Sequence, residues 1–330
     1  MKRIDSYITE KLKLNRDSAI KNEYNYTPKT RQELTLTIRK LLAERGKDAD
    51  LNDIDVSNII DMSYLFSHKD IRNIDISGWD VSNVEAMDSM FEGCYEFNCD
   101  LSLWDVSNVT EMTKMFCDCQ KFKGDISTWD TRNVTKMELM FFNCFDFNCD
   151  LSTWDVHKVE YAYKMFYFCR SFNSDLSKWD VSNMKSIAGM FELCDVFDSD
   201  LSEWDVHNVE EMSNLFSGCK KFNSDLSKWN VSKVINMKEM FKHCVKFNCD
   251  ISSWDINKVR NTEGMFGNCV SLAQDMSKLD ISKIHNMKSM FYGCKNITGD
   301  FRYKEIYPNA NTVYMFSGCD KIKIPKWYKE

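Results

Sequence analysis

The sequence predicts a repeat solenoid of stacked 25-residue coils, each a short parallel β-strand plus a short helical or 3-10 segment, behind an N-terminal α-helical cap. Three observations predict it. Phe recurs at 66, 91, 116, 141, 166, 191, 216, 241, 266, 291 and 316, eleven copies at a constant spacing, and a fixed period of this size marks a repeat array. Within a copy, Trp104 and Val106 flank Asp105, the alternation of a strand with one buried face. From Val109 through Met112 and Met115 the apolar spacing changes to three, which fits a short helical or 3-10 stretch.

The cap comes first. Residues 1–47 form a basic N-terminal segment, with 12 Lys+Arg against 6 Asp+Glu. A helix is expected over 30–46. Thr30 and Glu33 make a capping box, Leu34, Ile38, Leu41 and Leu42 share one face, and Gly46 ends it. That face would cover the open end of the first coil, while residues 1–28 offer a segment for partner docking. The array runs over 48–324, and one unit cannot bury its own apolar side without neighbours. At about 4.8 Å per rung, eleven rungs make a body roughly 50 Å long. Leu279 and Lys304 then replace Trp, and Pro325 opens a short tail, 325–330, that cannot extend a ladder.

Two columns build the core. One is Trp79, Trp104, Trp129, Trp154, Trp179, Trp204, Trp229 and Trp254. Its phase with Val106-type residues argues for stacked core rings over a cofactor or sugar platform. The other is Cys94, Cys119, Cys144, Cys169, Cys194, Cys219, Cys244, Cys269, Cys294 and Cys319. Disulfide frameworks and zinc sites show paired spacings that this column lacks, so it reads as a ladder of free, buried thiols. Asp recurs in two further columns, from Asp50 to Asp300 and from Asp55 to Asp280. Asp followed two residues on by Ser suits an Asx turn; calcium bridging between rungs is the rival.

Composition excludes several classes. Beyond residue 47 the chain carries a balance of −13, which disfavours nucleic acid. No stretch is long and apolar enough to span a bilayer. The first residues show no secretory core, so a cytoplasmic location is expected. No nucleophile–base pair, phosphate loop or metal set is visible, so no enzyme and no cofactor is expected.

Binding residues in a repeat protein must break the repeat. The strand-face departures are Arg132, His157, Lys158, Lys178, Glu203, His207, Lys228, Lys233, Lys258, Lys278, Lys283 and Tyr303. They form a ribbon that grows more basic toward the C-terminus and suits a protein partner. A calcium-dependent structural or adhesive rod is a second reading. Glycan binding through Tyr303 and Tyr307 is a third.

The blocks Trp-Asp-Val-Ser-Asn-Val and Met-Phe-x-x-Cys-x-x-Phe recur in register over about 48–324. In them the chain resembles the BspA-type leucine-rich-repeat family, the bacterial surface-protein repeat also found in mycoplasma lipoproteins. The resemblance implies a leucine-rich-repeat-like solenoid with a role in adhesion or protein interaction and no catalytic residues. Many relatives are secreted or lipid-anchored, so it also implies surface or virion display.

Overall fold

A computed structural model describes residues 24–328. The possible docking role of residues 1–28 falls mostly outside the described residues. Regular elements are few among them: helix α1 (Arg31–Arg45), one 3-10 turn (Met276–Lys278), and β1 (Gly299–Asp300) paired in parallel with β2 (Ile322–Lys323). The rest is a ladder of coils. Single parallel bridges join Asp61, Ala86, Glu111, Lys136, Tyr161, Ser186, Glu211, Asn236, Asn261, Asn286 and Asn311 in series. One continuous core runs from Leu34 to Tyr328. This arrangement is compatible with a repeat solenoid.

The position of the ladder corrects the expectation. The strand expected at Trp104–Val106 is a pair of turns, with Trp104 N–H bonded to Leu101 O and Val109 N–H to Val106 O. The backbone N–H groups of Ser102 and Ser107 go to the Asp100 and Asp105 carboxylates, so they cannot join an inter-coil ladder. The ladder instead runs through the stretch expected to be helical. There, alternate N–H groups divide their bonds. Lys114, Phe116 and Asp118 donate forward to Glu138, Met140 and Phe142 of the next coil, at 2.7–2.9 Å. Met115, Cys117 and Cys119 donate back to Met112, Lys114 and Phe116 of their own coil.

The local i→i+3 bonds account for the spacing of three. They do not fuse into a helix because Lys114 and Asp118 take left-handed conformations, with φ of 56° and 62°. Both positions are left-handed in every coil, from Tyr64 and His68 to Tyr314 and Gly318. A left-handed residue with a Cβ costs about 1–2 kcal/mol. Glycine relieves that cost at some positions and makes room at others. A Cβ on Gly93 would stand 2.2 Å from His68 Nδ1 in the coil before it.

Side chains of the repeated columns close the remaining backbone bonds. Each indole of the Trp column donates to the carbonyl of a Leu or Ile in the preceding coil, as Trp104 Nε1 does to Ile76 O at 3.1 Å. The thiols are more than small hydrophobes. All ten column cysteines donate to a Phe carbonyl one coil back, as Cys169 does to Phe141 O at 2.9 Å. They are free thiols, and burial holds the Cys169 group well above the ordinary thiol range. It therefore keeps the proton that it donates.

Both Asp columns form Asx turns. Every member from Asp50 to Asp300 accepts the N–H two residues on, at 2.9–3.1 Å. The second column does the same from Asp55 to Asp280, with Asn230 in one place.

Bridged backbones lie about 4.8 Å apart. The Phe66–Phe316 rings stack at 5.5–5.9 Å. Neighbouring indoles stand 6.3–6.5 Å apart. Parallel rings in register thus stack from coil to coil along both aromatic columns.

Both ends are covered. Thr30 caps α1 by accepting the Glu33 N–H at 3.2 Å, while Glu33 reaches back to the Lys29 N–H rather than to Thr30. Leu34, Ile38 and Leu41 are buried in the common core. Tyr26 bridges Ile54, which pairs the first coil. At the other end Trp327 donates to Lys304 O at 2.9 Å, and its ring packs on Phe316. The tail thereby brings an indole back to the coil whose Trp is missing.

Two outcomes are expected. Cys169→Ala should cost about 1–3 kcal/mol, from a small cavity plus a lost hydrogen bond. Cys169→Ser, which keeps a donor, should retain more stability than Ala. Denaturant unfolding of both variants checks this, and Ser proving the worse of the two would show that the thiol acts only as a hydrophobe. The second outcome concerns acid. Backbone hydrogen bonds from Ser177, Ser202 and Ser252 hold Asp175, Asp200 and Asp250 below the usual carboxylate range. Their stabilisation is complete above the unfolded-chain value of about pH 4 and fades as the pH falls below it. Replacing the three by Asn should flatten the acid limb of a melting-temperature profile, and an unchanged limb would count against the assignment.

Candidate functional site

The structure separates the ribbon expected from the sequence. Arg132, His157 and Lys158 come together in a shallow cleft of about 420 Å³, with Asp130, Thr131, Thr153 and Asp155. The cleft lies where Thr131 replaces Val and exchanges hydrogen bonds with the backbone of Asp155. Its basic groups are already engaged. Arg132 Nε donates to Asp130 at 2.8 Å, His157 Nδ1 meets Asp155 at 2.6 Å, and Lys158 donates to Asn133 at 2.8 Å. His207 repeats the His157 arrangement on Asp205 at 2.9 Å.

The other ribbon residues do not converge. Lys228 pairs with Glu203 at 2.9 Å, and Lys233 donates to Asn208 at 2.6 Å. Lys178, Lys258 and Lys283 are exposed singly. Lys278 lies in the 3-10 turn. Tyr303 is 84% exposed, with Arg302 over its ring. An incoming anion would have to displace intramolecular partners along much of this row. Among the described residues, no three His, Cys, Asp or Glu are grouped to hold a metal ion.

The bridged face has a different character. Its ladder position changes chemistry from coil to coil, through Glu111, Lys136, Tyr161 and Ser186. It becomes a run of Asn from 236 to 311, in which Asn236, Asn261, Asn286 and Asn311 each accept the N–H two residues on. Ion pairs cross the coils here, Lys136 to Glu111 and Lys185 to Glu160, both at 2.6 Å. A second cleft of about 300 Å³ lies between Glu239, Lys242, Glu263, Lys288 and Tyr292, floored by Gly264 and Gly267.

The strongest departure from the repeat is an aromatic ridge beside this ladder. Phe142 stacks on Tyr167 at 4.5 Å, and Phe145 meets Phe168 edge-on at 5.0 Å. Lys164 lies over Tyr167 at 4.7 Å, and Arg170 over Phe168 at 4.3 Å. Tyr161 and Tyr163 extend the ridge and are 45% and 42% exposed. None of these rings belongs to the repeated core columns. Reading the strand face at Trp104–Val106 directed attention away from these rings. The signal was present in the run from Phe142 to Arg170, where positions occupied elsewhere by Ser67, Gly93, Ser213 or Gly218 hold aromatic residues.

Electrostatics single out one more group on this face. Burial, with the Glu111 carboxylate beside it, pushes Asp88 up to about 6. Its oxygen accepts the Thr113 N–H at 2.9 Å. A carboxyl group with a raised folded value favours the fold when protonated, and that contribution disappears as the pH rises through about 6. Asp88→Asn keeps the acceptor without the charge. Its melting temperature should exceed the parent's at pH 8, and the difference should shrink as the pH falls to about 4. A difference independent of pH would contradict the raised value.

Comparison with known proteins adds a family and little else. None of the curated proteins matches the sequence. Among solved structures, a chain described as the crystal structure of the TLR13–ssRNA13 complex aligns with 88% of this chain and 47% of its own, at 10% identity and a TM-score of 0.25. This chain thus spans about half the length of that one, and the likeness is too slight to assign a ligand. A family profile matches residues 38–127, 100–204 and 185–304. With the greater part of its length so matched, the chain belongs to the family described as Mycoplasma protein of unknown function, DUF285.

Proposed function

We propose that this chain is a non-enzymatic protein-interaction or adhesion scaffold, a leucine-rich-repeat-like solenoid that recognises a protein partner along its bridged face. The observation that carries the reading is where the repeat is broken. Trp, Cys, Phe and Asp columns hold core and turns, coil after coil. Exposed Tyr64, Tyr161, Tyr163, Tyr292 and Tyr314 break the repeat along the bridged face, while Tyr303 and Tyr307 do so on the turns. Tyrosine at such density is typical of interface centres, because it supplies contact area at little conformational cost. The resemblance to BspA-type repeats favours the same class. The proposal requires neither metal nor cofactor, since the Asp columns already serve as turns.

Site-specific photo-crosslinking tests it. A benzophenone side chain at Tyr64, Tyr292 or Tyr314 should trap discrete protein adducts in lysate of the source cells. The same probe at Lys178 or Glu203, on the opposite turns, should trap few. Equal labelling from both positions, or none from the bridged face, would remove the bridged face as the recognition surface.

A further inference from the structure

Resting on the scaffold reading, we propose that the aromatic ridge of residues 142–170 docks an acidic, extended segment of a partner protein, one apolar side chain seated between its carboxylates. Three features carry this. First, the ridge sets four half-buried rings, Phe142, Phe145, Tyr167 and Phe168, outside the core beside exposed Tyr161 and Tyr163, and apolar surface of that kind marks interaction sites. Second, Lys164 and Arg170 are held over ring faces, whereas Lys185 at the ridge's edge is paired with Glu160. Among the described residues, neither Lys164 nor Arg170 forms an ion pair within 4.0 Å. Of the nearby acids, Asp146 is engaged with Lys121 and Lys123 and Asp195 with Lys220, while half-buried Glu192 lies near Lys164 and is pushed by burial toward its neutral form. Third, the ridge is a cationic spot on a body whose balance beyond residue 47 is −13. An acidic segment is repelled from most of the surface and attracted here, which gives selectivity as well as affinity.

The geometry also fits an extended segment. The ridge crosses coils, from Lys185 over Tyr161 to Arg170 over Phe145. Lys164 lies over Tyr167 and Arg170 over Phe168, whose rings are 6.1 Å apart, an order that suits a carboxylate at each cation and an apolar side chain at the rings.

The test uses the full chain and a displayed library of random 16-residue peptides. Selected peptides should be enriched in Asp and Glu flanking an aromatic residue or Leu. Their binding, read by fluorescence anisotropy, should weaken at least tenfold in Lys164→Glu/Arg170→Glu and with added salt. A second variant, Tyr167→Ser/Phe168→Gly, uses residues that the repeat itself places at these positions in other coils, so it should fold; melting curves verify both. Peptides without acidic enrichment that still depend on Tyr167 and Phe168 would overturn the charge assignment and leave the scaffold reading standing. Acidic peptides whose binding neither variant changes would overturn the ridge as their site. A chain that sediments as a dimer and becomes monomeric with Arg170→Glu would assign the ridge to a second copy and overturn the proposal. Binding confined to an oligosaccharide array and lost in both variants would do the same.

Discussion

The structure depends on how backbone N–H groups are divided between coils and within them. In the stretch equivalent to 112–119, alternate groups reach forward to the next coil and the others close turns in their own. The forward bonds from the positions of Lys114, Phe116 and Asp118 form at every junction, at 2.7–3.0 Å. Such a division demands a left-handed residue at two positions per coil, and the chain accepts it even at Leu139 and Phe168. Stacking must offset that strain, because an isolated coil would make none of the forward bonds.

Side chains complete what the backbone leaves open. Indoles and thiols donate to carbonyls one coil back, the Asp columns take the N–H groups of the turns, and Asn residues bridge coils at the edge. Asn108 Nδ2, for example, donates to Ser82 O at 2.7 Å. Trp and Cys are therefore repeated for two reasons, apolar volume and a correctly aimed hydrogen. The bridges leave the variable residues along one stretch of each coil, beside the ladder.

Much of this is legible in the residues. The 25-residue period, the buried columns and the Asx turns follow from spacing and from Asp-x-Ser alone. The cap helix follows from Thr30, Glu33 and Gly46. The ladder is harder to read, because alternation at Trp104 and Val106 has the period of a strand whether or not its amides are available. Asp100 and Asp105 remove them, and that competition is visible only when each amide is assigned a partner. The left-handed positions carry little signal, since Lys, Leu, Tyr and Phe stand there beside Gly and Asn. Arg132, His157 and Lys158 do meet, but the Asx-turn carboxylates of Asp130 and Asp155 and the amide of Asn133 already hold them. The aromatic ridge stays hidden for a simpler reason: its rings lie among the many Phe residues of the core, and only comparison position by position separates them.

The uniform junctions have a mechanical consequence. Each coil is held by the same set of bonds to its neighbours and to nothing farther away, so tension applied to the two ends loads a series of nearly equal links. Coils would peel from an end one at a time. Each would release 25 residues, roughly 80–90 Å of contour. Pulled from its ends, such a stack would lengthen in equal steps while its remaining coils stay closed.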